Sequence, residues 1–429
     1  MRIAYSVLWR LALPLVLARL WLRGRQEPGY RQHWRERLGF YGAKSAPRLT
    51  IWVHAVSVGE TRAAEPLIDA LLSAYPACRI ILSHMTPTGR ATGKALFARH
   101  GARLIQSYLP YDIGSMVGRF IAHFGPSVCI LMETEVWPNL IALCGKNQVP
   151  VALVNARLSE RSLGKARRFG TLMLDAARGI ALVAAQTEAD AARVRTLGVA
   201  HVEVTGSIKF DVLAPAPMVA TGVRLRGRIG TRPVLLCAST REGEEELILA
   251  AFQRTAIPAD MLLIIVPRHP QRFDSVAAMI AGRGLTMLRR SHMAPDGSSV
   301  PAGVQVLLGD SMGEMFAYYA ACDCAFIGGS LLPLGGQNLI EACALGKPVL
   351  IGPHTFNFAV VTDDAIAAGA AMLVPDADTL MLQVSRLLED DPLCSAMGRQ
   401  ALSFAWQHRG ATLRTLALLA PLIDRTERA

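Results

Sequence analysis

From residue 50 onward the chain alternates short apolar runs with longer stretches of helical character. The first runs are TIWVHAV, CRIILSHM, ARLIQSYLP, SVCILME, VPVALVNA, ALVAAQ and VEVTGS. Apolar runs of this length, bounded by Gly, Pro or polar turns, fit strands buried on both faces. The gaps between them leave room for crossover helices, which predicts a parallel sheet. Residues 211–232, DVLAPAPMVATGVRLRGRIGTR, break the rhythm. They are rich in Pro, Gly and Arg, lack strong periodicity, and read as an interdomain connection. A second series follows: PVLLCAS, MLLIIVPRHP, LTMLRRS, VQVLLGD, CAFIGGS, PVLIGP and AMLV. The fold class expected is α/β, with two Rossmann-like domains of parallel sheet facing across a cleft.

The domains are expected at 26–210 and 233–405, joined by 211–232 and closed by a C-terminal helix over 406–429. Residues 1–25 form a separate N-terminal helix. Its core, IAYSVLWRLALPLVLARLWL (residues 3–22), is long enough to span a bilayer. Arg10 near its middle argues against a span, and no cleavage site of signal-peptide type follows. Both a single uncleaved span and an interfacial helix fit, and either leaves the main body on the cytoplasmic side. A helix packed only on its own protein is the third reading.

Charge sharpens this picture. The net charge is +11, and residues 1–50 carry ten Arg or Lys against Glu27 and Glu36, leaving only +3 for the rest. A nucleic-acid binder would spread basic residues over its folded body, so nucleic acid is not an expected partner. A basic, aromatic segment beside an apolar helix suits anionic lipid headgroups. A length of 429 residues and an apolar fraction of 52% exclude a disordered chain and predict at least two domains. The eight Cys show no zinc-type spacing and read as reduced, mostly buried thiols of a cytosolic compartment.

Candidate chemistry lies where the strands end, since ligands of open α/β sheets bind at carboxyl ends of strands. IWVHAVSVGE delivers Glu60 to such a turn, although a first-turn Glu is also an ordinary helix start. LMETEVWPN places Glu133 and Glu135 after a strand. Alternation puts both on one side if the strand continues that far, and spacing does not decide which faces ligand. In VTGSIKFD, Lys209 is a cation for a phosphate or carboxylate. VPRHPQRF offers Arg268, His269 and Arg272 to an anion. GDSMGEM and GGQNLIEA bring glycines and backbone N–H groups ahead of helices, the second over 338–345, with Glu341 placed to accept from ribose hydroxyls. No Walker motif and no Gly-x-Gly-x-x-Gly follows a first strand, so ATPase and NAD readings lose support.

The blocks HAVSVGE, METEVWPN, NARLSERS, TGSIKFD, PRHPQRF, GDSMGEM and GGSLLPLGGQNLIEA…GPHTFNF, in that order, strongly resemble the 3-deoxy-D-manno-octulosonic acid (Kdo) transferases of Gram-negative bacteria. The resemblance runs from the basic N-terminus to about residue 360. It implies a GT-B glycosyltransferase at the cytoplasmic face of the inner membrane, moving Kdo from CMP-Kdo to a lipid A precursor, lipid IVA, in lipopolysaccharide biosynthesis. It implies Glu60 as general base and Glu133 and Lys209 as transition-state stabilisers. CMP contacts fall on Pro267, Arg268, Met312, Gly313, Glu314 and the block Asn338, Leu339, Ile340 and Glu341. That block commonly reads Asn-Pro-x-Glu, and here Leu339 replaces the proline. One base opposite the leaving group implies inversion. No cofactor is implied, and no metal, since nothing resembles the Asp-x-Asp site of other transferases. The alternatives are another GT-B nucleotide-sugar transferase or epimerase, and a non-catalytic membrane-surface protein that binds anionic lipid.

Overall fold

The computed structural model describes residues 1–25, 27–42, 49–211, 214–294 and 297–427. The chain divides into two compact units, Met1–Asp211 with Arg409–Ala429, and Val212–His408. Residue 26 at the expected start of the first domain, 212–213 of the expected connection and 428–429 of the expected last helix lie outside the described residues.

In the first unit the strands are β1 (Thr50–His54), β2 (Arg79–His84), β3 (Leu104–Tyr108), β4 (Val128–Met132), β5 (Val151–Ala156), β6 (Leu182–Ala185) and β7 (Val202–Val204). They form one parallel sheet in the order β3-β2-β1-β4-β5-β6-β7. Each apolar run expected as a strand in this half supplies one. Alternation along β1 explains why the run is apolar throughout. Trp52 packs on Phe120, Leu131 and Leu140 over one face, and Ile51 and Val53 pack on Leu67 and Ile68 over the other. Burying each such side chain contributes about 1.5–3 kcal/mol.

The last helix is placed by sequence at 406–429, and it occupies Ala411–Glu427. It belongs to the first unit, where Leu419 and Ile423 are buried with Leu67 and Ile68. Asp211 fixes its start by accepting from Gly410 N (2.6 Å) and Thr412 N (2.5 Å). The N-terminal helix Arg2–Arg23 lies on the same unit. Ser6 and Asn139 share a hydrogen bond (Oγ to Oδ1, 3.2 Å), and the Trp9 ring sits 5.9 Å from that of Tyr111. Its other face exposes Ile3, Val7, Leu8, Leu11 and Leu15. By length and composition alone it could cross a membrane.

The second unit repeats the design with β8 (Val234–Thr240), β9 (Leu262–Pro267), β10 (Met287–Arg289), β11 (Val306–Leu308), β12 (Cys324–Ile327), β13 (Val349–Ile351) and β14 (Ala371–Leu373). The order is β10-β11-β9-β8-β12-β13-β14, again all parallel. The stretch read as an irregular connection contains the helix Ala216–Ile229. Its buried positions are Gly222, Leu225 and Ile229, a helical spacing that includes a glycine and so shows poorly as an apolar stripe. Gly222 is there for close approach: a Cβ would lie 2.4 Å from the Ala317 carbonyl oxygen and 2.5 Å from the Ala320 Cβ.

Gly222→Val should therefore destabilise the second unit by about 1–3 kcal/mol. Gly227, on the same helix, faces open space. Gly227→Ala should match or exceed the wild type, because alanine favours the helix by about 1 kcal/mol. Urea unfolding followed by circular dichroism checks both. Equal midpoints for the two variants would refute the packing described.

Candidate active site

In the first unit the chain winds outward from β1 to β3, then returns to lay β4 on the other side of β1. Strand order reverses there, and such a reversal opens a crevice at the carboxyl ends of the two strands. Glu60 follows β1 and Glu133 follows β4.

Beyond β1, Ser57 caps the short helix Val58–Ala63. Its Oγ accepts from Glu60 N (3.4 Å) and donates to Glu60 Oε1 (3.1 Å). Val56 N donates to Glu60 Oε2 (2.8 Å). Glu60 is thus a first-turn helix residue and also a carboxylate fixed at the strand-order reversal. Burial pushes its carboxyl up to about 7. The Val56 N–H and the Ser57 hydroxyl act against that rise, while the charges of Glu135 and Glu133 add to it.

The strand does not continue far enough for alternation to align Glu133 with Glu135, because β4 stops at Met132 and Glu133 turns into the left-handed region (φ +57). There Glu133 N donates to Val154 O (3.0 Å), and its carbonyl accepts from Arg157 N (3.3 Å). The two side chains take different partners. Glu133 Oε1 is 2.8 Å from Lys209 Nζ, whereas Glu135 Oε2 accepts from Trp137 Nε1 (2.9 Å). Both charges reach Glu60. The amine of Lys209, expected to await an anionic ligand, is paired with Glu133.

Asn155 ties these parts together. It too is left-handed (φ +53). Its Nδ2 donates to Glu133 Oε1 (3.4 Å) and its Oδ1 accepts from Ile208 N (3.1 Å), next to Lys209. Left-handed non-glycine residues are costly and cluster at functional sites. Asn is the type most tolerant of that conformation, a signal that the sequence did carry.

In the second unit strand order reverses between β8 and β12. Glu244 and Glu245, which sequence reading passed over, hold this end together. Glu244 is fully buried and accepts from the N–H groups of Arg241 (2.8 Å), Gly329 (2.6 Å), Ser330 (2.9 Å) and Leu331 (3.0 Å). Glu245, also fully buried, accepts from Thr240 Oγ1 (2.8 Å) and from Arg272 Nη1 (2.8 and 2.9 Å). Arg272, expected to meet an anionic ligand, instead neutralises Glu245. His269 sits among Arg241, Arg268 and Arg272, and burial together with those cations pulls its pKa down.

The expected nucleotide residues occupy neighbouring loops on β9, β11 and β12. Arg268 N donates to Thr240 O (2.9 Å). Gly313 is left-handed (φ +82), and Glu314 accepts from Arg290 Nη2 (2.9 Å) and Ser311 Oγ (2.5 Å). Met312 is exposed. The helix expected over 338–345 spans Ile340–Ala344. Asn338 Oδ1 accepts from Ile340 N (3.0 Å), and its Nδ2 donates to Glu341 Oε1 (3.2 Å), so the turn closes without the usual proline. The side chains of Pro267, Leu339 and Ile340 are buried, leaving these residues only their backbone for a ligand.

A family model described as 3-Deoxy-D-manno-octulosonic-acid transferase (kdotransferase) matches residues 32–212, and one described as Glycosyl transferases group 1 matches 259–404. The 3-deoxy-D-manno-octulosonic acid transferase of Bordetella pertussis is 45% identical over 426 residues, covering 97% of this chain and 98% of that one. That of Haemophilus influenzae is 37% identical, covering 99% of each. Among solved structures, UDP-GlcNAc 2-epimerase from Neisseria meningitidis bound to UDP-GlcNAc has a TM-score of 0.58 at 14% identity, over 87% of this chain and 100% of that one, a likeness of fold. Identity at this level, end to end with two curated transferases, leaves one assignment: the chain belongs to the 3-deoxy-D-manno-octulosonic acid transferase family and is a glycosyltransferase of the two-unit GT-B fold.

Proposed function

We propose that this chain transfers Kdo from CMP-Kdo to a lipid A precursor, lipid IVA, with inversion and with Glu60 as general base. The observation that carries the proposal is Glu60 itself. Its carboxyl is fixed by Val56 and Ser57, raised to about 7, and set beside the Glu133–Lys209 pair. A base poised near the working pH takes a proton most effectively. As the acceptor oxygen bonds to the anomeric carbon, its proton passes to Glu60 and the bond to the CMP phosphate breaks. The sugar centre gains oxocarbenium character, which nearby carboxylates stabilise. Glu133 and Lys209 serve there together, the amine orienting the carboxylate or meeting the carboxylate of Kdo. In the second unit, CMP is held by Arg268, by the backbone at Pro267 and Met312–Glu314, and by Asn338–Glu341. Glu341 exchanges its Asn338 contact for ribose hydroxyls.

The acceptor is an anionic lipid, so the proposal places the enzyme at the cytoplasmic face of the inner membrane. The helix Arg2–Arg23 keeps one face on its own unit through Ser6 and Trp9, which favours lying in the interface over spanning it. Arg25 and Arg31 stack over Trp21, with their guanidinium carbons 5.1 and 4.5 Å from its ring, placing cations at headgroup level.

Glu60→Gln should lower kcat by about 10²–10⁴-fold, measured as CMP release, while calorimetry shows CMP binding unchanged. Full activity in that variant would remove Glu60 from the mechanism. Introducing Leu8→Glu and Leu11→Glu together should abolish flotation with phosphatidylglycerol-containing vesicles. Undiminished flotation would rule out the exposed face of the helix as the anchor.

A further inference from the structure

We propose that Thr86 is a positioning residue for the reaction: from the end of β2 its hydroxyl fixes the turn whose donors hold Glu60. The role rests on the reading of Glu60 as general base and accounts for what keeps that carboxylate in place.

Glu60 takes one hydrogen bond from Val56 N (2.8 Å) and one from Ser57 Oγ (3.1 Å). Where those donors point depends on the two peptides that flank Val56. β2 runs parallel to β1, with Ser83 paired to His54, and the residues just beyond reach both peptides. The peptide Ala55–Val56 carries the Val56 N–H, and its carbonyl oxygen lies 3.2 Å from His84 Nδ1. Gln106 Nε2 donates to Arg90 O (3.0 Å) and to His84 Nε2 (2.9 Å), so the ring proton is on Nδ1 and goes to Ala55 O. A peptide is planar, and a bond to its carbonyl therefore also fixes the direction of its N–H.

The peptide Val56–Ser57 leads into the second donor. Its carbonyl accepts from Thr86 Oγ1 (3.2 Å), with Met85 N at 3.4 Å. The half-buried Thr86 also caps the helix Pro87–Leu96, its Oγ1 accepting from Gly89 N (3.1 Å). The cap uses a lone pair, whereas the Val56 contact uses the hydroxyl proton, so one side chain does two different things. Gly89 shows how closely the helix start lies against the Glu60 turn. It is buried, and a Cβ there would lie 2.9 Å from Thr86 Oγ1 and 3.3 Å from both the Ser57 carbonyl carbon and Val56 O. A helix cap alone asks for no donor toward a neighbouring strand and no glycine against that strand's turn. Holding both donors of Glu60 asks for each of them.

The test is steady-state CMP release by the full chain with CMP-Kdo and lipid IVA, below the melting transition of every variant. Thr86→Val keeps the side-chain shape and removes the hydroxyl. It should lower kcat roughly 3–10-fold, the scale of one lost hydrogen bond, with KM for CMP-Kdo and calorimetric CMP binding unchanged. Thr86→Ser keeps the hydroxyl and should hold kcat within about twofold of the wild type. Gly89→Ala should lower kcat as well, although alanine favours the helix. Adding Thr86→Val to Glu60→Gln should lower kcat no further, because residues acting as a unit are not additive. Wild-type kcat in Thr86→Val or Gly89→Ala, an equal fractional loss with Glu60 present or replaced, or no rescue by Thr86→Ser would overturn the proposal. So would a lower melting temperature in Thr86→Val with unchanged kcat, which is the signature of a cap alone. Failure of the underlying reading looks different: Glu60→Gln by itself would stay fully active.

Discussion

The ion pair between Lys209 and Glu133 is the constraint around which the first unit's site is built. It joins the end of β4 to the turn after β7, across the ends of β5 and β6, and Asn155 binds Glu133 and the Ile208 N–H next to Lys209. Both partners are about a quarter exposed, so the pair adds at most about 1 kcal/mol to stability. Its importance is positional. With Glu133 drawn to Lys209, one carboxylate of the cluster is compensated. Among the described residues the Glu60 carboxylate accepts from the Val56 N–H and the Ser57 hydroxyl, and burial raises its pKa to about 7.

A different use of carboxylates organises the second unit. Burying a charge is expensive unless nearly every lone pair is satisfied. Glu244 meets that condition with four backbone N–H groups drawn from the loops after β8 and β12. It occupies an anion nest internally and fixes the loop from Gly329 to Leu331. Those amides are therefore not the ones offered to a phosphate. In the segment beyond, Gly335 and Gly336 are both left-handed (φ +95 and +72) and Asn338 closes the next turn. Glu245 does the equivalent for Arg272, tying the end of β8 to the turn after β9. A strand-end cation thus becomes scaffold.

Much of the fold was legible because strands covered on both faces have a plain signature. Every apolar run read as a strand is one, and the parallel pairing follows from the spacing between runs. The placing of polar clusters at strand ends was legible for the same reason. The failures have physical causes. The helix Ala216–Ile229 escaped notice because its contact stripe contains Gly222, where the absence of a side chain is the packing feature. Glu133 and Glu135 could not be told apart because a left-handed residue at the end of β4 cancels strand alternation, and one sequence does not announce that turn. Glu244 and Glu245 look like ordinary first-turn acids, and their importance appears only when distant loops fold over them.

The most direct measurement is the pH dependence of kcat/KM for the wild-type chain, which reports the free enzyme's essential groups. Glu60, raised by burial and by its neighbours, should give an acid limb with its midpoint at about 7. A limb centred near 4.5, the ordinary value for such a carboxyl, would contradict a buried base at the reversal of strand order.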